Sequence, residues 1–410
     1  MIHPMASEWA TEAHPRARQR VKKLPFVRVS LRLTDGAQVA VARPMKFVSA
    51  TAALLLSSIA CSSGESSPVT GDDQNFTQSQ WSITSIGSGP DPFDVLGSYR
   101  VTAARASDGT LFAAFIDKDK HLAIATRTGS AWKAEAVTSG GHNGRFASIA
   151  VDGANTTHIV HYDETANALV YTTRAAGTTQ WTHATLLARA AENRLVMTAD
   201  GTLHLLAVEV RDGAMHYGTR TAGGAWKLER VGTGLNYDSP ALSIDERGAP
   251  HASAWQWDAP GEGGKLVIAD RTSGWRVEPV GLTTSYSSDL VVVNGVTHLA
   301  YASLSNGVRS GPLYYTSRTE GGAWSTPEQA NWAGWSPDLA LDSSGRPVVV
   351  ASVEGYLQQA SRSDSGEWTR SSISSAQGNI EPFFIAGSNE VVFTNTWNRS
   401  FSIAAPRIGQ

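Results

Sequence analysis

The chain has 410 residues, 41% of them hydrophobic, with 34 Lys or Arg against 37 Asp or Glu and a formal net charge of −3. That is enough apolar material for one large core or two modest ones, and it excludes disorder over most of the length. The charge is split: residues 1–46 hold nine basic and three acidic side chains, leaving 25 against 34 beyond them, and so acidic a remainder argues against nucleic acid or anionic lipid as main partner.

Residues 1–44 read as an upstream extension of a frame whose working start is Met45. Lys46 and then the uncharged, largely apolar run Phe47–Ala60 make residues 45–60 a signal peptide, too short for a comfortable transmembrane helix. Cys61 is the only cysteine and directly follows that run. It resembles the modified cysteine of bacterial lipoproteins, although Ser58 stands where that motif usually has Leu, and Ser58-x-Ala60 also suits ordinary signal peptidase. The resemblance implies lipid attachment at Cys61, membrane contact only through that anchor, and an outer-membrane or cell-surface location; a secreted or periplasmic protein is the alternative. Residues 61–80 then carry the cysteine and a tether of Ser, Gly and acidic residues.

From residue 81 onward one unit recurs. Trp81, Trp132, Trp181, Trp226, Trp275, Trp324 and Trp368 are spaced by 44–51 residues, a period that signals a propeller or solenoid. Each unit reads as four strands. First strands are expected at 101–104, 147–151, 195–198, 241–244, 290–293, 339–341 and 383–386, followed by turns such as Asp108-Gly109, Asp200-Gly201 and Asn294-Gly295. Second strands follow at 111–116, 157–162, 203–208, 250–255, 297–302, 347–352 and 390–395, and third strands such as 122–127, 169–174, 215–220, 266–271 and 313–318 end in Arg. The Trp begins or lies within the fourth strand. The last unit has three strands and no Trp strand, whereas Trp81–Ile86 is a Trp strand with nothing before it. Pairing 81–86 with 383–404 closes the ring and removes two exposed edges. The expectation is an all-β, seven-bladed β-propeller of four-stranded antiparallel blades, a single monomeric domain over 81–410.

The turns Thr221–Trp226, Thr319–Trp324 and Ser363–Trp368 resemble degenerate Asp-box turns of the sialidase-type (BNR-repeat) propellers, with Asp364 nearest the motif's Asp. Tyr99-Arg100-Val101 resembles that family's Arg-Ile-Pro strand. The resemblance implies scaffold turns on the face opposite the active site and a three-arginine grip on a carboxylate, for which Arg100, Arg145 and Arg194 stand before successive first strands.

His158, His204, His251 and His298 recur at one place in four second strands and are expected to serve their own blades; no metal site is read from them. Where the units diverge, a ligand site is expected at the channel rim. Arg100, Arg145, Arg194, Tyr237, Trp255, Asp258, Tyr286 and Trp335 are its candidates, because aromatic planes beside guanidinium and carboxylate groups suit sugars. A glycan or other polar extracellular ligand is thus the expected partner. The rival is an enzyme on the same face: Asp163 with Glu209 or Asp117 as the carboxylates of a glycosidase, or His161-Tyr162 with His142 and Arg145 as a polysaccharide lyase. A further alternative is a protein-interaction scaffold of the cell envelope. Phosphate loops, zinc-ligand spacings and nucleophile elbows are absent from the sequence, and no cofactor is implied.

Overall fold

The computed structural model describes residues 80–90, 100–209, 212–234, 237–257, 264–271, 273–281, 285–303 and 311–407. The expected extension, signal peptide, Cys61 and almost all of the tether lie outside these residues.

Every regular element described is a strand. The first is β1 (Trp81–Ser88). Next come β2 (Thr102–Arg105), β3 (Leu111–Ile116), β4 (Leu122–Thr128) and β5 (Ala131–Ala136), then β6 (Asn143–Val151), β7 (Thr157–Asp163), β8 (Ala168–Arg174) and β9 (Thr182–Ala188). A third group is β10 (Ala190–Met197), β11 (Leu203–Glu209), β12 (Met215–Arg220) and β13 (Lys227–Arg230). A fourth is β14 (Tyr237–Ile244), β15 (Pro250–Trp257), β16 (Gly264–Arg271) and β17 (Trp275–Pro279). Then follow β18 (Ser285–Val293), β19 (Val296–Ser303), β20 (Gly311–Thr319), β21 (Glu328–Leu341), β22 (Pro347–Val353), β23 (Tyr356–Arg362) and β24 (Trp368–Ser374), and finally β25 (Asn379–Phe384), β26 (Val391–Asn395) and β27 (Ser400–Pro406).

Hydrogen bonding groups these strands into four-stranded antiparallel meanders β2–β5, β6–β9, β10–β13 and β14–β17, a seven-stranded meander β18–β24, and a four-stranded sheet ordered β1-β27-β26-β25. The last joins the two ends of the repeat region as expected, with Trp81 opposite Pro406 and Thr84 opposite Ile403. Consecutive sheets pack face to face: β6 on β2 and β3, β10 on β6 and β7, β14 on β10 and β11, β18 on β14 and β15, β25 on β21 and β22. The sheet joining both ends of the repeat region also meets the first, since Ile385, Val392, Phe401 and Ile403 share one core with Val101, Leu111 and Phe115.

Burial falls from the second strand outward. β7 and β11 are almost wholly buried, while β5 and β9 are almost wholly exposed, so the fourth strand is the outer wall. Trp132, Trp275 and Trp368 lie within fourth strands, whereas Trp181, Trp226 and Trp324 stand just before them. Each tryptophan closes a seam. Trp226 packs edge-on against Tyr171 of the preceding sheet with ring centroids 5.5 Å apart, Trp275 against Tyr217 at 5.3 Å, and Trp368 lies 5.6 Å from Tyr315. Those tyrosines are fixed by the recurring histidines: His158, His204 and His298 each bond through Nδ1 to the hydroxyl of Tyr171, Tyr217 or Tyr315 at 2.6–2.7 Å. His251, in the unit where Ile268 stands at the tyrosine's place, holds Asp270 at 2.7 Å instead. Each histidine thus serves its own sheet, as its repetition suggested.

The arginines ending the third strands seal the same seams. Arg174 pairs with Glu135 one sheet back, Arg271 with Glu229 at 2.7 Å and Arg362 with Glu328 at 2.6 Å. Asp364 is 87% exposed and reaches only Arg346, at 3.7 Å, so the turn closest to an Asp box is held by Ser363, whose hydroxyl accepts from the Glu367 amide at 3.0 Å. Replacing Trp275 by Ala removes a ring contact and the Nε1 bond to Glu229; it should cost about 3 kcal/mol in urea unfolding, and Trp275→Phe about 1 kcal/mol.

Candidate functional site

The inner strands set the geometry of the channel. In β6, β14, β21 and β25 the register shifts near the strand start, and a non-glycine residue there has positive φ: Phe146 at 52°, Ser239 at 49°, Ser336 at 48° and Glu381 at 48°. Such bulges bend a strand and re-aim its side chains, here at the entrance to the channel.

The turns between second and third strands, and the links into first strands, share one end of the sheets. On that face, around β6 and β7, Arg145 lies with its guanidinium carbon 5.4 Å from the Phe146 ring and 6.0 Å from that of Tyr162. Its Nη1 is 3.6 Å from Glu164 Oε2, which also lies 3.5 Å from His142 Nδ1. His142 and Glu164 are roughly half exposed, and the backbone beneath them is fixed: the Glu164 amide donates to His142 O at 2.8 Å, and the His142 amide to Thr165 Oγ1 at 3.2 Å. The cluster presents a carboxylate and an imidazole beside an aromatic ring, with the Arg145 side chain, 12% exposed, behind them.

Trp397 stands in the turn between β26 and β27 on the same face, and at 70% exposure it is the most exposed large hydrophobic side chain among the described residues. The turn is rigid. Asn395 Oδ1 accepts from the amides of Trp397 and Asn398 at 3.1 and 3.0 Å, and Asn395 Nδ2 donates to Gln377 O at 2.9 Å. The indole rests against Gly378, where an added Cβ would come within 2.7 Å of Trp397 Cγ. One face is therefore backed by glycine and the rest is open.

The other expected site residues have different places. Arg100 points inward, with Nη2 donating to Ser148 Oγ at 2.8 Å and Asn193 O at 2.7 Å, and so ties three sheets. Arg194 lies with its guanidinium carbon 5.9 Å from the Phe383 ring, close enough for its charge to act on Asp289 and Asp338, and its buried Nη1 has no hydrogen-bond partner among the described residues. The three arginines have separate surroundings and form no common grip. Tyr237 and Trp255 are corrected from rim to core: Tyr237 is packed between sheets, and Trp255 is fully buried, edge-on to Trp257 at 5.7 Å. Trp335 is half-buried on β21 opposite Ser352. Asp258 and the Tyr286 side chain lie outside the described residues.

The expected catalytic groups are engaged locally. Asp163 Oδ1 accepts from the Ala166 amide at 3.0 Å within its turn, and Glu209 Oε1 lies 2.8 Å from His216 Nε2. Tyr162 donates to Asn167 Oδ1 at 3.0 Å. His161 is buried with Nε2 3.1 Å from Thr172 Oγ1, and burial pushes its pKa down to about 4; that position corrects its proposed role as a rim base. Among the described residues no group of three or more His, Cys, Asp or Glu could hold a metal ion.

Sequence reasoning missed Trp397, Glu164, Asp289 and Asp338. Trp397 carried a signal, since it is a tryptophan outside the repeat period and inside a turn. The two aspartates carried none: they lie on separate strands, β18 and β21, and only the channel brings them together. Asp289 Oδ2 accepts from the Leu339 amide at 2.8 Å and Asp338 Oδ2 from the Phe384 amide at 2.7 Å. Asp338 is buried, while Asp289 keeps some open surface in the channel yet is surrounded by protein. Burial raises both carboxyls, the charge of Asp289 raises Asp338 further, and Arg194 opposes the rise. Of the two carboxyls, Asp338 is raised the further, because the Asp289 charge adds to its burial.

No family model matches this sequence and no curated relative matches it. Among solved structures, the chain is similar to a catalytically inactive virginiamycin B lyase from Staphylococcus aureus in complex with quinupristin, at 11% identity and a TM-score of 0.52, over 79% of this chain and 99% of that one. The selenomethionine-substituted form of that lyase gives 10% identity and 0.51 over the same shares. The fucose-binding Aleuria aurantia lectin, a six-bladed β-propeller, gives 12% identity and 0.45 over 66% and 93%. At these identities the likeness to the lyase is one of fold, and it places the chain among propeller-like all-β proteins.

Two buried groups give opposite pH dependences. His161 is neutral when folded, so its stabilisation is present above its ordinary pKa of 6.5 and is lost as pH falls toward about 4. The raised carboxyl of Asp338 works the other way: its stabilisation is present below the ordinary value of 3.8 and is lost as pH rises through the elevated pKa. Urea midpoints measured across pH should flatten on the acid side in His161→Gln. They should flatten on the alkaline side in Asp338→Asn, which keeps an acceptor for the Phe384 amide.

Proposed function

We propose that this chain is an exported, lipid-anchored, seven-bladed β-propeller that binds a glycan at its channel rim. The observation that carries the ligand class is Trp397, an exposed indole backed by Gly378 on a hydrogen-bonded turn. Exposing a large aromatic on a rigid support forgoes its burial energy, and the apolar C–H face of a sugar ring is the partner a flat, rimmed indole fits. The Arg145–Glu164–His142 cluster on the same face supplies charged hydrogen-bonding groups for hydroxyls or a carboxylate.

The count of seven rests on β21. Its first half pairs with β20, from Glu328 to Gly334, and its second half with β22, from Trp335 to Leu341. Each half completes a four-strand unit, so the seven-stranded sheet divides into two blades beside the five four-stranded ones. Export and anchoring rest on the apolar run 47–60 and the single cysteine at 61.

Covering most of the indole with a sugar removes on the order of 100 Å² of apolar surface, or about 2.5 kcal/mol. On a glycan array of acidic and neutral glycans, Trp397→Ala should therefore weaken the wild-type signal by about tenfold or more while leaving the urea midpoint unchanged. Arg145→Ala should select against acidic glycans. An absence of saturable binding across both glycan sets contradicts the reading.

A further inference from the structure

A cleft lies on the other face, beside the first hairpins, between strands β21–β24 and the sheet made of β25, β26, β27 and β1. Its volume is about 710 Å³. Clefts at the equivalent seams beside His158 and beside His204 and Tyr217 measure about 480 and 310 Å³.

The repeat explains the difference. Val348 pairs with Ala340 as His158 pairs with Ala150, and Gln359 pairs with Val350 as Tyr171 pairs with Val160. Val348 and Gln359 therefore occupy the places of the bonded histidine and tyrosine that fill the seam in three other units. Gln359 turns along its own strand, with Nε2 donating to Ser361 Oγ at 2.8 Å. Trp81 takes the place of the incoming seam tryptophan and is buried, so the space left by the missing pair remains open.

The lining has two chemistries. Leu341, Val348, Phe384 and Pro406 give an apolar bed, and Gln359, Ser371 and Asn389 give hydrogen-bonding groups beside it. Arg346 is neutralised by Asp342 at 2.7 Å. Arg407, at the chain-end side of the cleft, is exposed, and no described carboxylate lies within ion-pair distance of it. We propose that this cleft is a second binding site, for an amphipathic organic anion whose apolar body lies on Val348 and Phe384 and whose acidic group meets Arg407. Its volume matches that of small-molecule sites, roughly 300–1,000 Å³. The site is independent of the glycan reading, since it shares no residue with the rim and opens on the opposite face.

Fluorescence titration of the full chain with anilinonaphthalene sulfonate, beside its uncharged relative phenylnaphthylamine, tests the assignment. Wild type should bind both saturably. The double variant Val348→His with Gln359→Tyr rebuilds the pair and should weaken both probes by about tenfold or more. Arg407→Ser should weaken the anion by about fivefold and leave the uncharged probe within about twofold, a difference of about 1 kcal/mol. Trp397→Ala should change neither, which separates this cleft from the rim. No saturable binding by wild type overturns the proposal, as does equal binding by a folded double variant. If that variant does not fold, undiminished anion binding by Arg407→Ser overturns it alone.

Discussion

The inner edge of each sheet is the constraint on which the rest of the molecule depends. A first strand has a neighbour on one side only, so its other amides need acceptors that no fifth strand supplies. Those acceptors come from the preceding inner strand, about one repeat back: Glu192 takes the Ser239 amide at 2.7 Å, Ser243 that of Val292 at 3.0 Å, and Ser287 that of Ser336 at 3.3 Å. Asp289 and Asp338 do the same for Leu339 and Phe384. Two of these bonds fall on Ser239 and Ser336, the positive-φ residues of the bulges, so the contacts that satisfy the edge also hold its least comfortable backbone, which costs roughly 1–3 kcal/mol per residue.

A buried carboxylate pair follows from that arrangement. β18 and β21 both use aspartate for the edge, which brings two carboxyls together with protein around them. The Arg194 charge opposes the rise in both carboxyls. That arginine thus acts on the scaffold's own charge, and Arg100 is committed to the Asn193 carbonyl and Ser148. Only Arg145 of the three faces the rim.

The outer seams obey a second, looser rule: histidine fixes tyrosine, tyrosine receives the next tryptophan, and a third-strand arginine closes over the top. Arg174 and Arg318 sit 4.3 and 4.6 Å from Trp181 and Trp324. Where the rule is kept, repetition marks structure. Where it lapses, at Val348 and Gln359, a cleft of about 710 Å³ opens in what otherwise reads as scaffold.

Much of the fold was legible because its signals are local. β3 and β12 fall at the expected residues 111–116 and 215–220: β3 is a continuous apolar run between turn residues, which identifies a buried strand, and β12 was placed by the repeat that ends third strands in Arg. First strands were placed less well: β10 and β14 begin several residues early, because bulges break the alternation on which period-two reading depends. The same shift of register sent Tyr237 into the core. What the sequence by itself determined is the repeat, the strand order within each unit, and the joining of 81–88 to the last three strands, all consequences of spacing, turn chemistry and unpaired edges. Tertiary structure alone decided which polar residues remain available: Asp289 and Asp338 meet, His161 is sealed and Trp397 is left open, because those outcomes depend on what neighbouring sheets present across a seam, about one repeat away in the chain.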